Sequence, residues 1–209
     1  MSTTRLLVLG AVRIFQPAHG YFIRRELLSW QADEWAKLNP GSIYNALRTL
    51  TREGYLVEKA AREGRGGGQS RTEYSLTPDG ESHFLGLLRN ALWHVDIYEN
   101  STLMGALSFM RFLTRDEVTD AVESRIAELR NHIRSFEHVV REASTKRTAP
   151  AEATELIEVS IERLRGELVW AERLGKRLRD GHYRFIPEPG WDSGPGPDGT
   201  WYGPLDKPE

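Results

Sequence analysis

The sequence predicts a mainly helical α+β protein, and three observations carry that prediction. Asn39-Pro40 is a strong helix start. Two stretches that alternate with period two, Tyr55–Lys59 and Arg71–Leu76, flank the glycine-rich run EGRGGGQS. Two long apolar seams with spacings of three and four fill the C-terminal half.

The first helix is read from Leu6, Leu7, Leu9, Gly10, Val12, Ile14 and Phe15, closed by Gln16-Pro17 and His19-Gly20. Tyr21, Phe22, Ile23, Leu27 and Leu28 supply a second, which ends in the polar stretch from Ser29 to Asp33. In the third, Asn39 is the N-cap and Pro40 the first helical residue, where its missing N–H costs nothing. Ile43, Ala46, Leu47 and Leu50 fall at i, i+3, i+4 and i+7, one buried stripe, and Gly54 is the stop. The two period-two stretches then form a β-hairpin with a long, basic, glycine-rich tip. Three helices followed by such a hairpin is the order of a winged helix-turn-helix.

Thr77-Pro78 starts another helix, with Phe84, Leu87, Leu88, Ala91, Leu92 and Val95 as its stripe, and a short apolar segment from Leu103 to Phe112 follows. Thr114-Arg115-Asp116-Glu117 is a capping box opening a long helix, with the seam Val118, Val122, Ile126, Leu129, Ile133, Phe136 and Val140. After Pro150 a second long helix carries Ile157, Ile161, Leu164, Leu168, Ala171, Leu174 and Leu178. Two such helices in succession form an antiparallel hairpin, and their narrow seams leave apolar surface for a second subunit. Val122, Ile126, Leu129, Ile133, Phe136, Leu164, Leu168 and Leu174 are the expected dimer contacts. The expected divisions are a winged helix-turn-helix with its following helix over 1–99, a dimerisation region of two to three antiparallel helices over 100–180, and a tail over 181–209. That tail is rich in proline, glycine and aromatics and is expected to dock in part, through Trp191, Trp201 and Tyr202.

Composition narrows the function. The chain has 209 residues, 39% hydrophobic and 28% charged, and no cysteine, which excludes disulfides, thiolate zinc sites and cysteine nucleophiles and points to a reducing cytoplasm. No apolar run reaches the roughly 18 residues of a membrane span. The opening MSTTRLLVLGAVRIF is read as a core helix and not a leader, because Arg13 interrupts it and no small-residue cleavage site follows. Net charge is −2, yet residues 1–80 hold 11 Lys/Arg against 8 Asp/Glu while the remainder is acidic, which fits one DNA-binding end.

Opposite the stripe of the third helix lie Gly41, Asn45, Arg48 and Arg52, flanked by Ser42, Tyr44 and Thr49. Singly these are ordinary surface residues; as one face of the third helix of a winged helix-turn-helix they suit DNA. Arg48 matches guanine and Asn45 adenine, while Ser42 and Tyr44 suit phosphates near the helix N-terminus. Arg62, Arg65, Gln69 and Arg71 around Gly66–Gly68 provide a wing tip for phosphates or the minor groove.

No enzyme is expected. His19, His83, His94, His132, His138 and His182 form no HExxH or paired metal arrangement, and no nucleophile elbow, GxGxxG helix start or P-loop is present, so neither metal nor cofactor is expected. Trp93, Met104, Phe109, Met110 and Trp170 are candidates for lining an effector pocket, although aromatics at helical spacing are more often core.

HGYFIRREL, NPGSIYNALRTLTREGYL and SRTEYSLTPDG, in that order and with a glycine-rich loop before the last, resemble the PadR family of bacterial transcriptional regulators. The resemblance covers residues 5 to about 85 closely, and the two-helix part more loosely resembles the long-form PadR dimerisation region. One departure is Asn45, where many members have proline. The resemblance implies a cytoplasmic homodimer that binds a pseudo-palindromic double-stranded DNA operator, usually as a repressor released by a small aromatic or hydrophobic effector. A winged-helix module that contacts a protein partner, without specific DNA binding, is the alternative.

Overall fold

The structure is a computed structural model and describes residues 3–60, 72–146 and 150–185. These fall into two compact units, one up to Leu87 and the other from Leu88 onward.

The first unit begins with α1 (Thr3–Phe15), in which every residue from Leu6 to Val12 is buried. A helix apolar on all sides must be covered on all sides, and α2, α4 and β3 pack against it. The two-residue strand β1 (Ala18–His19) leads into α2 (Gly20–Ser29), whose buried residues Gly20, Ile23 and Leu27 form a single stripe. A four-residue helix α3 (Ala32–Trp35) follows, bracketed by the left-handed residues Gln31 (φ 55°) and Lys37 (φ 53°). The Trp35 indole N–H donates to the Trp30 carbonyl at 3.0 Å and closes this turn.

Helix α4 (Pro40–Arg52) starts and stops as its sequence dictates. The Asn39 side chain accepts from the Ser42 N–H at 2.8 Å, and the Ser42 hydroxyl accepts from the Asn39 N–H at 3.1 Å, a reciprocal cap. At the other end Gly54 (φ +80°) donates to the Thr51 carbonyl at 3.0 Å and Tyr55 to the Leu50 carbonyl at 2.9 Å. That is a Schellman stop, which needs a residue free to adopt the left-handed conformation. Ile43, Leu47 and Leu50 are buried beneath.

Strands β2 (Leu56–Ala60) and β3 (Thr72–Leu76) pair antiparallel from Leu56↔Leu76 to Ala60↔Thr72. β1 adds to the far edge of β3 through Ala18↔Tyr74 and His19↔Glu73, so the sheet order is β1-β3-β2. The expected two-stranded hairpin is therefore a three-stranded sheet. Two residues are too short for alternation to register in the sequence.

Helix α5 (Pro78–Trp93) is anchored to the end of α4. The Thr77 hydroxyl donates to the Gly54 carbonyl at 2.7 Å and accepts from the Gly80 N–H at 3.0 Å, while the Thr77 N–H donates to the Tyr55 carbonyl at 3.1 Å. Gly80 comes so close that a Cβ there would stand 2.0 Å from the Tyr55 carbonyl oxygen. Arg13 of α1 adds a fork to both Glu81 carboxylate oxygens, at 2.8 and 2.9 Å.

The second unit holds the end of α5, then α6 (Ser101–Phe109), a 3-10 turn (Met110–Phe112) and the long helices α7 (Arg115–Lys146) and α8 (Ala151–Arg179). The Thr114 N–H donates to Glu117 at 2.9 Å and the Glu117 N–H to the Thr114 hydroxyl at 3.2 Å, completing the capping box that starts α7. The bond from the Thr114 backbone first, then those from Arg89 and the Thr114 hydroxyl, hold the Glu117 carboxyl below its usual range. α7 and α8 pack along their length, with Leu129, Ile133, Ile161, Leu164 and Ala171 at the centre of one apolar cluster.

Arg125 is only 3% exposed inside this unit. Its guanidinium pairs with Glu167 at 2.6 Å and donates to the carbonyls of His94 at 2.7 Å and Leu92 at 3.3 Å. It thereby caps the C-terminal end of α5, where unpaired carbonyls favour a cation. Arg115 similarly donates to the Leu178 carbonyl at 2.7 Å and the Tyr183 carbonyl at 2.5 Å, with the fully buried Phe185 ring 5.1 Å from its guanidinium carbon. The start of the expected tail thus folds back over the beginning of α7. Trp191, Trp201 and Tyr202 lie outside the described residues.

Candidate nucleic-acid interface

The polar face of α4 stands clear of its own unit. Gly41, Tyr44, Asn45, Arg48 and Arg52 are exposed, and Ser42 and Thr49 are half-buried beside them. The helix carries Arg48 and Arg52 and no carboxylate. Glu53, the residue that follows the helix, is bonded by Arg5, which donates to it at 2.5 Å and holds its carboxyl below the ordinary range.

Behind this face the close approach of α2 fixes the position of α4. A Cβ on Gly20 would lie 3.2 Å from the Tyr44 ring, 3.3 Å from Leu47 and 3.5 Å from the Tyr74 ring. Tyr74 of β3 is buried there, and burial first and the adjoining Glu58 carboxylate second push its hydroxyl pKa up. The tyrosine therefore stays a neutral donor at any physiological pH and links the sheet to the helix.

Three residues expected to act on DNA, Ser42, Asn45 and Arg48, already have partners. Ser42 spends its hydroxyl on the cap, accepting from the Asn39 N–H and donating to the Asn39 carbonyl at 2.8 Å. Arg48 donates to the side-chain oxygen of Asn45. The wing residues Arg62, Arg65, Gln69 and Arg71 lie outside the described residues. On the strands leading to them, Val57 to Ala60 are exposed. His19, in β1, faces β3 with its Nδ1 3.3 Å from the Thr72 carbonyl.

Further along the chain, the second unit contains a cavity of about 400 Å³. Met104 and Trp170 line it, together with Asp96, Ile97, Asn100, Leu103, Leu107, Arg163, Leu164 and Glu167. The other residues considered for an effector pocket do not: Phe109 is fully buried in the core and Trp93 is exposed. The segment between α5 and α6, which supplies Asp96, Ile97 and Asn100, carries no periodic signal and gave no pointer in the sequence. Among the described residues no group of three or more His, Cys, Asp or Glu is placed to hold a metal ion. None of the described helices is long and apolar enough to cross a membrane.

Of the residues expected at a dimer interface, Val122, Leu129, Ile133, Leu164 and Leu174 are buried within the α7–α8 hairpin of a single chain, and Ile126, Phe136 and Leu168 are partly buried against it. The large apolar side chains left exposed on these helices are Val139, Leu156, Val159 and Val169.

Residues 8–85 match the model of the transcriptional regulator PadR-like family. Over these residues the chain is similar to that family. The matched span runs from α1 through the sheet into α5 and includes the whole of α4. Among solved structures, PadR of Bacillus subtilis in complex with operator DNA aligns at 18% identity, covering 85% of this chain and 98% of its own, with a TM-score of 0.39. The same protein in complex with p-coumaric acid aligns at 18% identity over 85% of this chain and 99% of its own, with a TM-score of 0.35. A PadR-like transcriptional regulator of Bacillus cereus aligns at 16% identity over 85% of this chain and 99% of its own, with a TM-score of 0.36. No curated protein matches the chain.

Proposed function

We propose that the protein is a dimeric, sequence-specific DNA-binding transcriptional repressor of the cytoplasm, released from its operator by a small hydrophobic or aromatic effector. The observation that carries this reading is the face of α4: exposed, bearing two arginines and an asparagine, free of carboxylates, and held by glycine-tight packing against α2. In a winged helix such a helix lies in the major groove while its neighbours set its angle. The wing arginines add phosphate contacts, and residues 100–180 join two chains. Because the seam is largely consumed inside each hairpin, the second chain is met by the half-buried Ile126, Phe136 and Leu168 and the exposed Val139, Leu156 and Val159. Two reading helices then face a pseudo-palindromic site with half-sites about one helical turn apart. The effector enters the cavity beside Met104 and Trp170 and weakens DNA binding only as far as it prefers the non-binding state.

Fluorescence anisotropy on DNA from upstream of the protein's own gene, beside a scrambled duplex, at two salt concentrations tests this. Binding that is tight, sequence-dependent and steeply weakened by salt is expected, since each neutralised phosphate releases counterions. Equal, weak binding to both duplexes would overturn the reading and leave α4 as a surface for a protein partner.

A further inference from the structure

In the second unit the cavity and the end of α5 are joined by a chain of bonds that starts at Glu167. Glu167 lines the cavity, and its Oε1 accepts from the Arg125 guanidinium at 2.6 Å. Arg125, only 3% exposed, donates in turn to the carbonyls of His94 at 2.7 Å and Leu92 at 3.3 Å. The other charged groups of the wall bond elsewhere. Asp96 accepts from the N–H groups of Tyr98 and Glu99 at 2.9 and 3.1 Å, and Arg163 donates to the Tyr98 carbonyl at 3.4 Å. Those bonds stay within the loop that follows α5, whereas the bond of Glu167 leads to the helix itself.

Each link depends on the one before it. A buried guanidinium whose carboxylate is withdrawn becomes an uncompensated buried charge, which favours its movement towards water. The carbonyls at the end of α5 then lose a charged donor that no intrahelical N–H replaces. The helix so released has its other end in the first unit. There the Thr77 hydroxyl donates to the Gly54 carbonyl at the stop of α4 at 2.7 Å, and Gly80 stands against the Tyr55 carbonyl. A single helix of 16 residues thus has the stop of α4 at its start and the Arg125 cap at its finish.

We propose that the Arg125–Glu167 pair is the regulatory link between the cavity and α5. While the pair is intact the last turn of α5 is held and DNA affinity is high. When Glu167 is drawn from Arg125 on the cavity side, that turn loosens and affinity falls, because α4 is fixed in place for DNA only as firmly as the helix attached to its stop. This rests on the reading above of an effector-released DNA-binding regulator, and it names the residues through which release runs.

Glu167→Gln takes the charge from Arg125 while keeping the side chain's size, so it produces the withdrawn state without a ligand. Glu167→Asp keeps the charge but ends one methylene short. Glu172→Gln is the control, since it breaks the exposed Arg130–Glu172 pair between the same two helices. Full-length wild type and variants, each verified as folded by far-UV circular dichroism, are compared in two ways. Hydrogen exchange is followed over the last turn of α5, and anisotropy is measured on the upstream duplex beside the scrambled one. Glu167→Gln should speed that exchange and weaken binding to the upstream duplex about fivefold or more, the size of a typical coupling between sites. Glu167→Asp should change both in the same direction by less, and it carries the test alone if Glu167→Gln does not fold. Glu172→Gln should match the wild type in both. Faster exchange with unchanged affinity would make the pair a structural cap and overturn the proposal, as would unchanged exchange, and either leaves DNA recognition standing. A wild type that prefers neither duplex would overturn both readings.

Discussion

Helix α4 and the α7–α8 hairpin draw on the same long polar side chains and use them in opposite ways. Across the hairpin Arg125, Arg130 and Arg165 each meet a glutamate of the other helix, at 2.6, 2.6 and 2.5 Å. In α4 the arginines have no acid within their own helix. A cation compensated in place contributes to the fold and has little left for an anion outside. One with no acid in its own capped helix contributes little to the fold and keeps most of its charge for a partner. The contrast separates a structural use of arginine from a recognition use, and burial decides how much each is worth.

The comparison breaks most sharply at Arg125. Its guanidinium is almost fully buried, so Arg125→Ala leaves Glu167 and two carbonyls without their partner. The expected loss is about 3–5 kcal/mol of stability, measured by urea unfolding; a loss below 1 kcal/mol would mean water replaces the guanidinium. Gly80→Ala follows at roughly 2–3 kcal/mol, because the new methyl collides with the backbone oxygen of Tyr55 and α5 must shift. Melts of the variant and wild type that coincide would show that the contact relaxes freely. Arg48→Ala and Arg130→Ala then form a matched pair on exposed surface. Arg48→Ala should leave the melt unchanged and weaken operator binding by about 1–3 kcal/mol. Arg130→Ala should leave binding unchanged and cost at most about 1 kcal/mol of stability, as an exposed ion pair does. Reversal of these two effects would refute the division of labour.

The smallest effect is a pH dependence at His83. Burial first and the Arg5 guanidinium second lower its pKa, and Arg5 lies 3.2 Å from Nε2 while the Tyr55 ring stacks at 4.2 Å. The folded chain resists the proton that the unfolded chain accepts near pH 6.5. Stability is therefore complete above that value and declines as pH falls from it towards the lower folded pKa. Urea titrations of wild type and His83→Gln between about pH 7.5 and 5, on either side of the free-histidine value, should diverge in that direction. Parallel curves would remove His83 as the cause.

Much of this architecture is legible in the sequence wherever a local rule acts over enough residues. Asn39-Pro40, Gly54 and Thr114-x-x-Glu117 are caps whose chemistry is complete within four or five positions, and the structure has each of them. β1 and α3 are the counterexamples. Two and four residues contain no period, and they exist because Tyr74 and Glu73 offer a sheet edge and because Gln31 and Lys37 accept left-handed backbone. The candidate site divides likewise. That α4 has a polar face follows from spacing, but the capping of Asn39 by Ser42 and the bond from Arg48 to Asn45 are choices among partners, which only coordinates decide. Arg125 is illegible for a related reason: one arginine between Val122 and Ile126 reads as surface until the carbonyls of Leu92 and His94 are seen converging on it.

The way the hairpin is fastened has a consequence for how it comes apart. Arg115 ties the end of α8 and the segment beyond it to the start of α7, with Phe185 sealed beneath. At the opposite end, the buried apolar residues stop at Ile133 on α7 and resume only at Ile161 on α8. The two helices are thus latched at the base, while beyond Ile133 they are held by half-buried apolar contacts and the exposed Arg165–Glu137 pair. Amide hydrogens should exchange with solvent on a gradient, slowest beside Arg115 and Leu178 and fastest towards Lys146 and Pro150. A second chain laid along the outer arms would flatten that gradient, so the exchange profile of one hairpin records whether it stands by itself.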